Sequence, residues 1–503
     1  MSDVAQASET RLSAPSVATA CGAAQAAASP PVPRLLVGLG RMLLGIGAIV
    51  PALWLAMLAT SRSAPSQFLW PALAIGVAVV GLRQRPERQA SAAIWLVSML
   101  IALYIAEGFQ MRRVHEANRA LAAAKAGIAY DTRTPAQVVL ELRRAQRDAV
   151  VGYRHGSDSA EGGLLALGGA SMVTTVLCNE NGPYAMYDAD EHGFNNPRGL
   201  WDVGRPQIAL LGDSLVQGAC VQPDQTIAAH MRRRVPGTLS IGYGGNGPLA
   251  SLAALREYVE PLRPPIVLWF HDEGNDVSDL NQEKRNPRLM AYLQSSTTQH
   301  LLDRQDQIDG EARELMTTDA LEEARWREER IRHPRVPADA AWKQRLTLGY
   351  LQSQWGPECP WIPVVQFLKL SDLREQLRTA IDGLKPDPAK QLDEPLLRQV
   401  LAKARDEVSE WGGQLYVVYL PEWERYRWLG HGNMWRDPVL RLVLDLRIPL
   451  IDMHQRFQAT GDPLQFFPLR MTGHYTPSGY RLVAEAVLDR VNPPGPHAVA
   501  RAP

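Results

Sequence analysis

The chain has 503 residues, with 53 Lys and Arg against 53 Asp and Glu, so its formal charge is zero. That balance leaves out the strongly basic surface by which nucleic-acid binders hold phosphate, and no nucleic-acid partner is expected. Four cysteines are too few for a small disulfide scaffold, while the length allows more than one domain.

Residues 1–34 are rich in Ala, Ser and Pro, offer little to pack, and read as a disordered tail. Three apolar segments follow within residues 35–109: Met42–Thr60, Phe68–Leu82 and Ala90–Ala106. Each approaches the roughly 20 residues that cross a bilayer, and Pro51 is tolerable in such a helix. A cleaved signal peptide explains the first segment but not the next two, so three transmembrane helices are expected. Arg83, Arg85 and Arg88 separate the second segment from the third, whereas Arg62 alone separates the first from the second. The positive-inside rule puts the former linker in the cytoplasm, together with the tail carrying Arg11 and Arg34. An odd number of spans then carries the rest of the chain to the outer side, although Arg112 and Arg113 on that flank oppose the rule.

Residues 110–163 read as a charged, helix-prone spacer, in which Pro135 can open a helix over Ala136–Val150. The Gly-, Asn- and Pro-rich stretch 164–200 reads as irregular chain laid over a surface. Its Asp188, Asp190 and Glu191 lack the order of an EF-hand loop and read as solvated turn residues. Beyond it, strand and helix patterns alternate, which predicts a parallel sheet with helices on both faces. The predicted strands are Ile208–Leu211, Thr238–Gly242, Ile266–Phe270, Gln414–Leu420 and Pro449–Met453. A charged helical insertion at about 280–345, including Glu322–Arg332, interrupts this α/β domain of residues 164–492. Amphipathic helices are predicted over 363–383, 394–411 and Tyr480–Val491, and residues 493–503 form a tail.

Chemistry concentrates at the predicted strand ends. The first apolar run stops on Gly212-Asp213-Ser214, where Gly212 permits a sharp turn into a helix beginning near Leu215. A serine at such a corner exposes its hydroxyl at the carboxyl end of the sheet, where open α/β folds place ligands. Asp-Ser is also a common helix cap. The second run is followed by Gly242-Tyr-Gly-Gly-Asn-Gly-Pro248, a loop of little bulk where backbone N–H groups can approach a substrate. The third leads to Asn275, and His474 precedes the last helix. Ester chemistry needs such a set: a nucleophile, a base, and donors aimed at the developing oxyanion. Asp213, Gly244 and Asn246 are candidate substrate contacts beside them.

The order of these blocks resembles the SGNH, or GDSL-type, hydrolase superfamily over about residues 203–280 and 410–492. The resemblance implies a three-layer, flavodoxin-like fold with Ser214 as nucleophile and His474 as base. It also implies an oxyanion hole of the Ser214 N–H, the Gly245 N–H and the Asn275 side-chain amide, with Gly244 competing for the glycine role. Two positions depart from the pattern. Glu273 stands where the third block carries glycine, and Met471 stands where the last block carries its aspartate, three residues before the histidine. A Ser–His dyad is therefore expected, with a backbone carbonyl or Asp452 as substitute for the acid.

Cys178 and Cys220 lie in segments that flank the site, so a disulfide between them and two buried free thiols are both compatible readings; Cys21 and Cys359 are paired with nothing. The segment Cys178–Pro197 and the membrane-anchored layout are similar to bacterial envelope members of the superfamily that act on polysaccharides. That similarity implies a multi-pass inner-membrane protein with its α/β domain in the periplasm, an O-acylated glycan as substrate, and envelope polysaccharide machinery as partner. The expected activity is hydrolysis through an acyl-serine, with no metal or organic cofactor. Acyl transfer from the same site, or polysaccharide binding without turnover, are the alternatives.

Overall fold

The computed structural model describes residues 33–59, 66–116, 119–152, 164–294, 296–310, 391–426 and 435–491, with single positions between 364 and 374. Glu322–Arg332, nearly all of the tail 1–34, most of the 363–383 helix, the C-terminal tail, Cys21 and Cys359 fall outside these residues. The chain forms two compact units, Met1–Ala106 and Glu107–Pro503.

The first unit is helical: α1 (Arg34–Ala59), α2 (Ser66–Leu82) and the start of α3 (Pro86–Glu116). All three begin earlier than the apolar stretches alone indicate. α1 and α2 pack closely, with the Leu44 side chain lying against Gly81. Gln89 closes the turn into α3, donating from Nε2 to the carbonyls of Leu82 and Gln84 at 2.8 and 3.0 Å. Among the described residues one helical stretch, Pro86–Phe109, is long and apolar enough to cross a membrane, with a mean hydropathy of 1.9. α2 has 17 residues, at the lower end of the roughly 17–25 that a span takes.

The second unit is built on a parallel five-stranded sheet. Its strands are β4 (Ile208–Leu211), β5 (Thr238–Ser240), β6 (Ile266–Asp272), β7 (Gln414–Leu420) and β8 (Leu450–Asp452), in spatial order β5-β4-β6-β7-β8. This is the doubly wound 2-1-3-4-5 order, whose switch point opens a crevice between the carboxyl ends of β4 and β6. Successive side chains face opposite ways. Ala209, Leu211, Val267, Trp269, Leu415 and Val417 enter one core with the helices Pro248–Ala254 and Glu394–Glu410. Ile208, Leu210, Ile266, Leu268, Phe270 and Val418 enter the other, with Ile227–Arg232 and Pro477–Leu488. Burial on both faces is why these strands read as unbroken apolar runs.

β4 and β7 match their predicted bounds. β6 runs on to Asp272, because it pairs with β7 along its whole length. The last helix starts at Pro477, before the predicted Tyr480, since the Thr476 hydroxyl accepts the Gly479 N–H.

Three expectations for the region before β4 need correction. The helix expected over Ala136–Val150 is Pro135–Arg144, opened by a capping box of Thr134 and Gln137. Chain turns at Gln146 (φ 60°) and continues as β1 (Ala149–Val151), where two β-branched valines favour a strand. β1 pairs parallel with β2 (Thr174–Val176), which pairs antiparallel with β3 (Met186–Asp188). The stretch 164–200 therefore contains two of the three strands of a small sheet and is not wholly irregular. Nor is Asp190 a solvated turn residue: it is fully buried and accepts from the N–H groups of His192 and Phe194, Asn196 Nδ2 and Trp201 Nε1.

Candidate active site

Ser214 stands at the corner between β4 and the short helix Ser214–Gln217. Gly212 is needed there by close approach, since an added Cβ would lie 2.7 Å from Val216 Cγ2. Asp213 caps the helix, accepting the Leu215 N–H at 3.0 Å, so the capping reading and the nucleophile reading fall on adjacent residues. Ser214 is half-exposed while its neighbours Asp213 and Leu215 are buried. As the first helical residue, it has a backbone N–H without an intrahelical acceptor.

His474 Nε2 lies 3.0 Å from Ser214 Oγ. For Nε2 to accept from the hydroxyl, the proton of a neutral imidazole must sit on Nδ1. Nδ1 faces Glu180 Oε2 at 3.3 Å, and the same carboxylate oxygen accepts the His474 backbone N–H at 2.7 Å. The expected dyad is thus corrected to a row of three, Ser214, His474 and Glu180. Asp452 does not serve: it caps the helix Met453–Gln458 and pairs with Arg436. Met471 leaves the acid's place empty on the histidine's own loop, and Glu180 fills it from the loop between β2 and β3.

That loop is pinned on both sides of Glu180. Cys178 is bonded to Cys220, with Cα atoms 4.7 Å apart. Asn181 Nδ2 donates to the carbonyls of Cys220 and Tyr475, at 2.9 and 3.2 Å. The disulfide reading is the one present, and Cys220 Sγ lies 3.5 Å from His474 Nδ1. Two sulfurs and an imidazole thus cluster, but the S–S bond consumes both thiols as metal ligands. Gly473 is glycine for a steric reason, since a Cβ there would strike the Glu180 carboxylate and lie 2.7 Å from Arg119 Nη2.

Electrostatics couple the pair. Burial pushes the Glu180 carboxyl up, but contact with His474, its charge and the charge of Arg119 outweigh this and leave it below the ordinary 4.5. Burial pushes His474 down, yet the contact and charge of Glu180, helped by Asp213, bring it above the ordinary 6.5. An imidazolium in this place is therefore stabilised, as a general base that receives a proton requires.

The donors expected at an oxyanion hole differ in how far the protein itself engages them. Gly245 (φ +84°) is exposed between buried Gly244 and Asn246, and its N–H has no acceptor among the described residues. Gly244 is excluded from that role, because its N–H is held by Gln217 Oε1 at 3.0 Å. Asn275 starts the helix Asp276–Glu283 and donates one Nδ2 hydrogen to Asp213 Oδ2 at 2.8 Å. A carboxylate only accepts, so the amide nitrogen must face it and one Nδ2 hydrogen remains. The same helix ends on Glu283, which accepts the N–H groups of Gly247, Leu249 and Ala250. One helix thus sets Asn275 at its start and anchors the glycine loop at its end.

Asp213, Gly244 and Asn246, the candidate substrate contacts, each hold another part of the chain. Asp213 has both oxygens engaged, by the Leu215 N–H and by Asn275, and Asn246 Nδ2 donates one hydrogen to the Leu167 carbonyl at 2.8 Å. All three are supports of the crevice. Glu273 points away from it into an ion pair with Arg425 and takes the Glu422 N–H.

Neither the family models nor the curated proteins contain a match to this chain. Sequence reasoning missed Glu180 because it sought the acid near His474. The available signal was the cysteine pair: bonding Cys178 to a residue six positions beyond Ser214 carries Glu180 to the same corner.

Proposed function

We propose that the chain is a membrane-anchored serine esterase of the SGNH type, acting on O-acyl esters of a cell-envelope polysaccharide. The observation that carries this reading is the row Ser214 Oγ, His474 Nε2 and Nδ1, Glu180 Oε2, with steps of 3.0 and 3.3 Å. His474 takes the Ser214 proton as Oγ bonds to the ester carbonyl carbon. The N–H groups of Ser214 and Gly245 and the Asn275 amide hold the oxyanion; one such donor is typically worth about 10²–10³ in turnover. The C–O bond to the sugar then breaks, and His474 returns its proton to the leaving hydroxyl. Water, deprotonated by His474, attacks the acyl-serine; the bond to Oγ breaks, His474 gives its proton back to Oγ, and the carboxylic acid leaves. Glu180 orients the imidazole and stabilises its charged form.

A reading as a binding protein without turnover has its best support in Met471, and the carboxylate of Glu180 beside His474 weighs against it. The membrane part supports anchorage: α3 is long and apolar enough to span, and the 26-residue α1 has no acidic residue. In this reading α1, α2 and α3 cross the inner membrane, and the α/β unit is periplasmic, a compartment that suits the Cys178–Cys220 bond. Glycan O-acyl groups as substrate follow from the envelope-type resemblance.

The test is labelling of the detergent-purified full chain with a fluorophosphonate, followed by peptide mapping. The adduct is expected on Ser214 and absent in Ser214→Ala. Labelling that persists in that variant refutes the nucleophile. Product analysis with and without an acceptor glycan then separates hydrolysis from acyl transfer.

A further inference from the structure

We propose that Arg119 is a positioning residue, whose guanidinium clamps the Glu180 carboxylate to the Thr472 carbonyl and so fixes the His474 loop against Ser214. The proposal rests on the reading of Ser214 and His474 as nucleophile and base.

Arg119 opens the helix Arg119–Lys125, three positions after α3 ends at Glu116. That helix is docked in the α/β unit: Ala123 is fully buried, and the helix packs on the Pro468–Arg470 turn that leads into the histidine loop. Arg119 Nη2 donates to the carbonyl of Thr472, two residues before His474, and lies 3.6 Å from Glu180 Oε1. Its other terminal nitrogen, Nη1, is buried with no partner among the described residues. One nitrogen, Nη2, thus faces a carbonyl and a carboxylate on two separate loops, and a lysine ammonium could supply the same charge but not the planar group that holds it in place. A row of groups results: Arg119, Glu180, His474, Ser214.

The charge has a directional consequence. His474 is faced by Glu180 from the β2–β3 loop, by Asp213 from the β4 corner and by Arg119; Glu180 is also faced by the Tyr480 ring from the last helix. Removing the Arg119 cation favours keeping a proton on the coupled Glu180–His474 pair. His474 must be neutral to act as base, so the acid limb of the rate profile moves to higher pH.

The experiment measures fluorophosphonate labelling of the full chain against pH, beside ¹³C NMR titration of the His474 ring. Variants are Arg119→Met, Arg119→Gln and Arg119→Lys, with retention of the Cys178–Cys220 bond and thermal melting as checks on folding. In Arg119→Met and Arg119→Gln, labelling at pH 7 is expected to fall about tenfold, the size of a lost charge-assisted bond. Both the kinetic and the NMR midpoint are expected to rise, and Arg119→Lys to restore the midpoint with part of the rate. A slower rate with unmoved midpoints would mean packing only and overturn the proposal, as would unchanged kinetics. Should wild type not label at Ser214, the esterase reading falls by itself. The NMR midpoint then still decides for or against the Arg119 clamp.

Discussion

Replacing Glu180 by Gln tests the placement of the acid most directly. The substitution keeps volume and an acceptor for the His474 N–H, bonded at 2.7 Å, but removes the charge facing Nδ1 at 3.3 Å. A hydrogen bond to a charged partner is worth about 1.5–3 kcal/mol. At 1.36 kcal/mol per factor of ten this predicts a loss of about 10–10² in kcat/KM. The separation to Nδ1 is long for such a bond, which places the expected loss at the lower end. Asp452→Asn is the matched control: Asn caps helices as well as Asp does, and Asp452 is engaged with Arg436, away from the imidazole. The assay is hydrolysis of a chromogenic acetyl ester by the full chain, followed against pH. In Glu180→Gln the imidazole loses its stabilising anion, so the acid limb moves to lower pH, opposite to the shift expected for the Arg119 variants. Full activity with an unmoved limb in Glu180→Gln, or an equal loss in Asp452→Asn, refutes the assignment of the acid.

Stability follows the same pair with a defined sign. Glu180 titrates below its ordinary value, so its contribution is complete above 4.5 and fades as pH falls through the folded value. His474 titrates above its ordinary value, so its contribution is complete below 6.5 and fades as pH rises through the folded value. Melting of wild type minus Glu180→Gln is therefore expected to differ most between those two values, and a flat difference would count against the coupling. Reducing the Cys178–Cys220 bond opens a loop of 42 residues, which chain entropy values at about 4 kcal/mol. Melting is expected to drop, and ester hydrolysis to slow in the still-folded fraction, because Glu180 loses one of its two pins. Asn275→Ala is expected to lower kcat by about 10²–10³ with KM little changed, since its free amide hydrogen acts on the oxyanion. A rise in KM alone would place Asn275 in ground-state binding.

How much of this was readable beforehand follows from what each residue depends on. β4 and β7 were legible because each is an apolar run with both faces buried, stopped by Gly212 and Pro421. Ser214, Gly245, Asn275 and His474 were legible because the parallel sheet puts the loops after its strands on one side. β1, β2 and β3 were not, since three residues apiece are too few for any period to show. Just past β3 lies the buried Asp190 hub, whose four donors are invisible in a run of Asp, Glu and His.

Glu180 is the harder case and the more instructive one. It lies 294 residues from the histidine it serves, on a loop that no strand pattern announces. What places it there is a covalent bond and two amide hydrogen bonds, two of the three ending on Cys220 and the third on Tyr475. Motif spacing records which loops leave the sheet together and says nothing of a loop brought in from outside it. A missing acid beside a histidine is therefore better sought along the cysteine pairs than along the histidine's own loop. In this chain that search ends two residues after Cys178, on a carboxylate that Gly473 leaves room for and that Arg119 steadies from the far side.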